Sequence, residues 1–160
     1  MGYQHVVVDD LDPTPDRPSV RRAVGEAADL TEFAVNRYEV QPGEQIPLAY
    51  HVHGEQEELF YVLSGTLSVE TPEGIYEVGT DEVLAVEPES PQRAFVPESA
   101  GETTVVLAVG APAVDDVRPY DPDAETDGGR DDERRAETDG GRDDERRAET
   151  DVTREAASDR

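Results

Sequence analysis

The chain of 160 residues contains no cysteine and no lysine. Without cysteine there are no disulfides, no thiolate metal sites and no cysteine nucleophile. Without lysine, all 14 basic residues are arginine, and they face 39 acidic residues, for a formal net charge of −25 and a pI near 4.2. Such a chain repels phosphate backbones and anionic lipid surfaces, so neither nucleic acid nor a membrane is an expected partner. An acidic, lysine-free composition resembles that of proteins from a very salty cytosol, where a Debye length of about 3 Å at molar salt screens the charge excess. Long hydrophobic runs are missing too. The longest nearly apolar stretch, Val105 to Val114, is broken by Gly110 and Pro112 and falls well short of the roughly 20 residues of a membrane helix. Met1 to Asp16 has no basic stretch followed by an apolar core, so no secretory signal is expected and the protein reads as soluble and cytoplasmic. A glycine-rich phosphate loop, a nucleophile elbow and a Ser/His/Asp set are also absent.

The length suits one domain of ordinary size and a tail, with one site. From Ala124 the chain repeats itself: AETDGGRDDERR runs from Ala124 to Arg135, recurs letter for letter from Ala136 to Arg147, and begins again at Ala148. Residues 124–160 hold no Leu, Ile, Phe or Tyr, and too little apolar surface to offset the entropy of ordering. They read as a disordered low-complexity tail, the alternative being a short Arg/Glu-laced helix formed on a partner. The tail carries a net charge of −6, so residues 1–123 carry −19. The acidic excess therefore belongs to the domain.

Within residues 1–123, turn signals recur every eight to twelve residues, and between them lie short β-rich runs. These are Gln4 to Val8, Phe33 to Val40, Ile46 to His53, Glu58 to Leu63, Thr66 to Glu70, Ile75 to Val78, Val83 to Val86 and Thr103 to Val109. The pattern predicts an all-β sandwich or barrel, with a helical turn or two within Ser19 to Leu30. Ser64-Gly65 reads as a hairpin turn. In the run ELFYVL, alternation sends Phe60 and Val62 to one face and Leu59, Tyr61 and Leu63 to the other, both apolar. Such a strand is covered on both sides. One cover is the barrel interior; the other is the N-terminal segment or, preferably, a second subunit in a homodimer.

The three histidines divide unevenly: His5 stands alone and reads as a surface residue, whereas His51 and His53 lie two apart on one strand and so share a face. Glu58 opens the next strand, and a turn over Gly54 to Glu57 returns its carboxylate beside the imidazoles. Two imidazoles and a carboxylate form a ligand set for Mn, Fe, Ni, Zn or Cu. The alternative is a pair of hydrogen-bonded cavity histidines with an exposed acid. Among the tyrosines, Tyr61 is a candidate ligand-binding residue, although Tyr50, Tyr61 and Tyr76 all suit a rim position.

The stretch Gly43 to Gly65, GEQIPLAYHVHGEQEELFYVLSG, resembles the first motif of the cupin family, G-x5-H-x-H-x(3,4)-E-x6-G, with a first spacer longer by two. The resemblance covers about residues 41–109. It implies a cupin β-barrel of two antiparallel sheets, jelly-roll-like, with a cavity for a divalent metal and a small organic ligand, and Ala111 to Tyr120 packing outside the barrel. The family's second motif, G-x5-P-x-G-x2-H-x3-N, is matched less well. Counting from Pro88 places Ser90 at the glycine, Arg93 at the metal-binding histidine and Pro97 at the asparagine.

A guanidinium has no lone pair to offer a metal. Two outcomes follow for Arg93. Either His51, His53 and Glu58 hold a metal as a three-ligand face, more weakly than a complete site; or Arg93 lies in the cavity, and the protein is a metal-free binding or regulatory module that grips a small anion. The first is the expectation for this chain. Because the family spans enzymes of several kinds and non-enzymatic binders, the resemblance fixes no reaction.

Overall fold

The computed structural model describes residues 2–124. The repeat beyond Ala124, and the tail reading with it, lies outside the described residues. Ten strands are present among them: β1 (Val20–Arg22), β2 (Ala34–Val40), β3 (Gln45–His53), β4 (Glu57–Ser64), β5 (Thr66–Thr71), β6 (Gly74–Gly79), β7 (Val83–Val86), β8 (Gln92–Phe95), β9 (Thr104–Ala111) and β10 (Val117–Pro119). They form two five-stranded sheets in the orders β1-β2-β9-β4-β7 and β10-β3-β8-β5-β6, antiparallel at every pairing. No helix among the described residues is long and apolar enough to cross a membrane.

The core lies between the sheets and follows from alternation. In β4, Phe60 and Val62 turn inward and are buried, as are Thr104, Val106 and Ala108 of β9. The opposite sheet contributes Ile46, Leu67, Val69 and Ala94, and Val96 adds to them just after β8. Each fully buried aliphatic or aromatic side chain of this kind contributes about 1.5–3 kcal/mol relative to its exposed state. This packing fills the interior around Phe60 and leaves one end, where His51 and Glu58 lie, to polar groups.

Several expectations are corrected. Gln4 to Val8 is not a strand: these residues lead into a 3-10 turn at Val8–Asp10, and the sheet edge beside β2 is occupied by β1. The helical turn expected within Ser19 to Leu30 is present as α1 (Val24–Ala27), but the short strand β1 before it lies outside that expectation. That turn packs so closely on β2 that a Cβ on Gly25 would lie 2.9 Å from the Val35 backbone nitrogen. Ser64-Gly65 is not a hairpin turn, because β4 and β5 belong to different sheets; Gly65, at φ +82°, is the corner between them. The strands β1, β8 and β10 escape the sequence pattern because they are three or four residues long and rich in Arg, Gln or Pro.

A candidate metal centre

His51 and His53 sit near the end of β3, and Glu58 stands at the second position of β4 in the facing sheet. Glu58 Oε2 is 3.8 Å from His51 Nε2 and 3.5 Å from His53 Nε2, and one ligand atom from each of the three residues lies within 4.8 Å of the others. Two atoms bound to one metal at about 2.1 Å lie roughly 3.0–3.4 Å apart, so small side-chain adjustments close the set. The imidazole rings meet edge to face at 86° with centroids 5.0 Å apart.

Both rings are oriented through their other nitrogen. His51 Nδ1 lies 3.0 Å from the Ala49 carbonyl oxygen, and His53 Nδ1 lies 2.7 Å from Asp116 Oδ1. An acceptor at Nδ1 places the proton there and leaves the Nε2 lone pair free, the usual arrangement for a metal-binding histidine. Burial disfavours the His51 imidazolium, but the Glu58 carboxylate and the Ala49 carbonyl outweigh it and raise its pKa above the ordinary histidine value. For Asp116, burial likewise opposes ionisation; the bond to His53 and the backbone N–H groups of Glu55 and Gln56 prevail and hold its pKa well below the usual carboxylate range.

The second-motif reading needs a correction by one residue. Glu89 has a left-handed φ of 62°, so Glu89 and not Ser90 takes the conformation that the motif's glycine supplies. Counting from Glu89, Gln92 falls at the histidine position. Gln92 is register partner of His51, fully buried, with its Nε2 3.4 Å from His51 Nε2 and donating to Glu58 Oε2. Arg93, next along β8, points out of the barrel. There it pairs with Glu70 of β5 at 2.6 Å and lies over Phe95. Tyr61 is also on an outer face, that of β4, and donates to Asp81 Oδ1 at 2.9 Å. Neither of these two expected ligand-binding residues is beside the His-His-Glu set, and His5 is exposed as expected.

Gln92 Oε1 is buried and has no partner. A buried, unpaired amide oxygen costs about 1–3 kcal/mol, and turning the amide about 180° would present that oxygen to a cation among the imidazoles and carboxylate. The residues present thus fit a metal: two imidazole Nε2 donors, one carboxylate and an oxygen in reserve. Sequence reasoning missed Gln92, because the turn before it is one residue shorter than assumed, and Asp116, which lies outside every quoted motif.

No curated protein matches the chain. Solved structures do. The polyketide cyclase RemF from Streptomyces resistomycificus is 21% identical with a TM-score of 0.61, over 74% of this chain and 85% of that one. A sugar phosphate isomerase of the cupin superfamily from Silicibacter pomeroyi is 22% identical with a TM-score of 0.59, over 68% and 75%. A protein from Acidithiobacillus ferrooxidans, provisionally named a sugar phosphate isomerase, is 24% identical with a TM-score of 0.52; the alignment spans 58% of each chain. These likenesses carry the fold. Residues 36–109, which include β3, β4 and β8, match the family model described as Cupin domain. Taken with the two-sheet barrel and the His-His-Glu set at its end, the match makes this chain a small cupin-domain protein.

Proposed function

We propose that this protein binds one divalent transition metal through His51, His53 and Glu58, and a small organic ligand at the positions the protein leaves open. The observation that carries the reading is the paired anchoring of the two imidazoles: each Nδ1 is engaged by an oxygen acceptor, and both Nε2 atoms converge on Glu58. When bound, such a metal acts as a Lewis acid toward oxygen donors. The protein's part is to hold the histidines in one tautomer, to place the Glu58 carboxylate beside both Nε2 atoms, and to exclude water behind the site with Phe60 and its neighbours. Arg93 is not given a role, since Glu70 already holds it on the outer face.

The protein is further proposed to be a cytoplasmic homodimer with a surface adapted to high salt. The outer face of the β1-β2-β9-β4-β7 sheet supports the dimer: Val35, Leu59, Tyr61, Leu107 and Val109 form a register-matched apolar patch, flanked by the exposed Leu63 and Val83. The metal reading is tested by titrating cobalt(II) into metal-stripped protein and following its visible absorption. Saturation near one equivalent is expected, and no saturable signal in His51→Ala. A wild-type signal that His51→Ala leaves unchanged would overturn it.

A further inference from the structure

The segment that follows β9 belongs to the metal centre even though it lies beyond the residues of the domain match. From Pro112 it folds back along β3, where β10 pairs Val117 with His53 and Pro119 with His51. Three attachments fix it. Gln56 Nε2, in the β3–β4 turn, donates to the Pro112 carbonyl at 2.8 Å; Arg118 pairs with Glu89 at 2.9 Å, in the turn that leads to Gln92; and the Tyr120 amide donates to the Tyr50 carbonyl at 3.0 Å. Gly110 leaves room for the first of these, since a Cβ there would lie 2.5 Å from the Gln56 amide.

Asp116 stands in the middle of this segment and uses both carboxylate oxygens. Oδ1 engages His53 Nδ1 at 2.7 Å, while Oδ2 accepts from the backbone N–H groups of Glu55 and Gln56. Those two amides belong to the turn that carries the chain from His53 to Glu58. One side chain thus fixes the ring of one ligand directly and the approach of another through the backbone. Its side chain is 18% exposed and that of His53 is 14%, so the bond between them is largely withdrawn from water.

We propose that Asp116 is the positioning residue of the metal centre: it holds His53 with the proton on Nδ1 and the Nε2 lone pair aimed at the metal, and it ties the turn before Glu58 to the same point. This rests on the metal reading above. Groups in this position typically set metal affinity by about 10–100-fold without touching the ion.

The test uses the full chain, with Asp116→Asn and Asp116→Ala beside wild type, and two readouts. In metal-stripped protein above the pH at which the ring is neutral, ¹H–¹⁵N correlation spectra of the His53 side chain report which nitrogen carries the proton. Zinc(II) titration by calorimetry reports affinity. The expected result is an Nδ1–H tautomer in wild type that is lost in Asp116→Ala, with zinc affinity about 10–100-fold weaker in that variant and an intermediate loss in Asp116→Asn. An Nε2–H tautomer in wild type, or zinc affinity within twofold of wild type in both variants, would overturn the proposal. If Asp116→Ala does not fold, the wild-type tautomer and Asp116→Asn decide it. A wild-type protein that shows the Nδ1–H tautomer but takes up no zinc would contradict the metal reading itself, and Asp116 would then have no metal to serve.

Discussion

Gln92 stands directly opposite His51 in the β3–β8 pairing, with its amide nitrogen 3.4 Å from the imidazole Nε2. This relationship places a neutral amide where the family motif has a histidine. It also separates the effects of two adjacent substitutions. Gln92→His adds a nitrogen donor facing the set and is expected to tighten zinc binding on the order of tenfold, about 1.4 kcal/mol. Arg93→His, on the outer face with Glu70, is expected to leave affinity within twofold of wild type. Calorimetric titration of both variants checks the pair, and a larger gain from Arg93→His would place position 93 inside the barrel.

The ligand triad was legible in the sequence, and the fourth position was not. His51 and His53 share a face by strand alternation, and Glu58 follows after a turn of fixed length, so local spacing suffices. Gln92 depends on how many residues the turn after Glu87 consumes. The left-handed Glu89 shortens that count by one, and glutamate does not signal such a conformation as glycine does. Asp116 is 63 residues from the histidine it orients and is one acid among 25 in residues 1–123, so neither spacing nor residue type singles it out. The long strands were readable because Phe60, Val62, Val106 and Ala108 alternate with outward residues; β8, with Gln92 and Arg93, shows no such apolar rhythm.

Gly65 joins β4 of one sheet to β5 of the other at φ +82°, and a Cβ there would lie 2.6 Å from Thr104 Oγ1 and 2.9 Å from Thr104 Cα. Backbone strain and collision act together. Gly65→Ala is expected to destabilise the barrel by roughly 1–3 kcal/mol, read as a lower midpoint in urea unfolding; an unchanged midpoint would mean that the corner can open freely.

Leu107 lies between Arg37 and Tyr61 in the middle of the β1-β2-β9-β4-β7 sheet, on the proposed dimer face. Leu107→Asp places a charge in the apolar patch and is expected to halve the mass measured by light scattering in molar salt, with the far-ultraviolet circular dichroism unchanged. A wild-type monomer mass would contradict the dimer.

Glu39 is held between Arg37 at 2.6 Å and Arg22 at 2.5 Å. The hydrogen bond from Arg37 outweighs the opposing effect of burial, and Arg22 adds to it, so its pKa lies below the ordinary 4.5. Because the folded value is depressed, this carboxylate contributes stability that is present above pH 4.5 and lost as pH falls toward the folded value. Glu39→Gln is therefore expected to flatten the decline of Tm below pH 4.5, by an amount that shrinks in high salt. An identical decline in both proteins would show that the two arginines do not stabilise the charge.

Everything proposed for this site depends on His51, His53 and Glu58 holding a metal. The most direct measurement is elemental analysis of untagged protein purified in high salt, beside His53→Ala prepared in the same way. About one transition-metal ion per chain in wild type, and little or none in the variant, is the predicted result. A trace of metal that is the same in both proteins would contradict it.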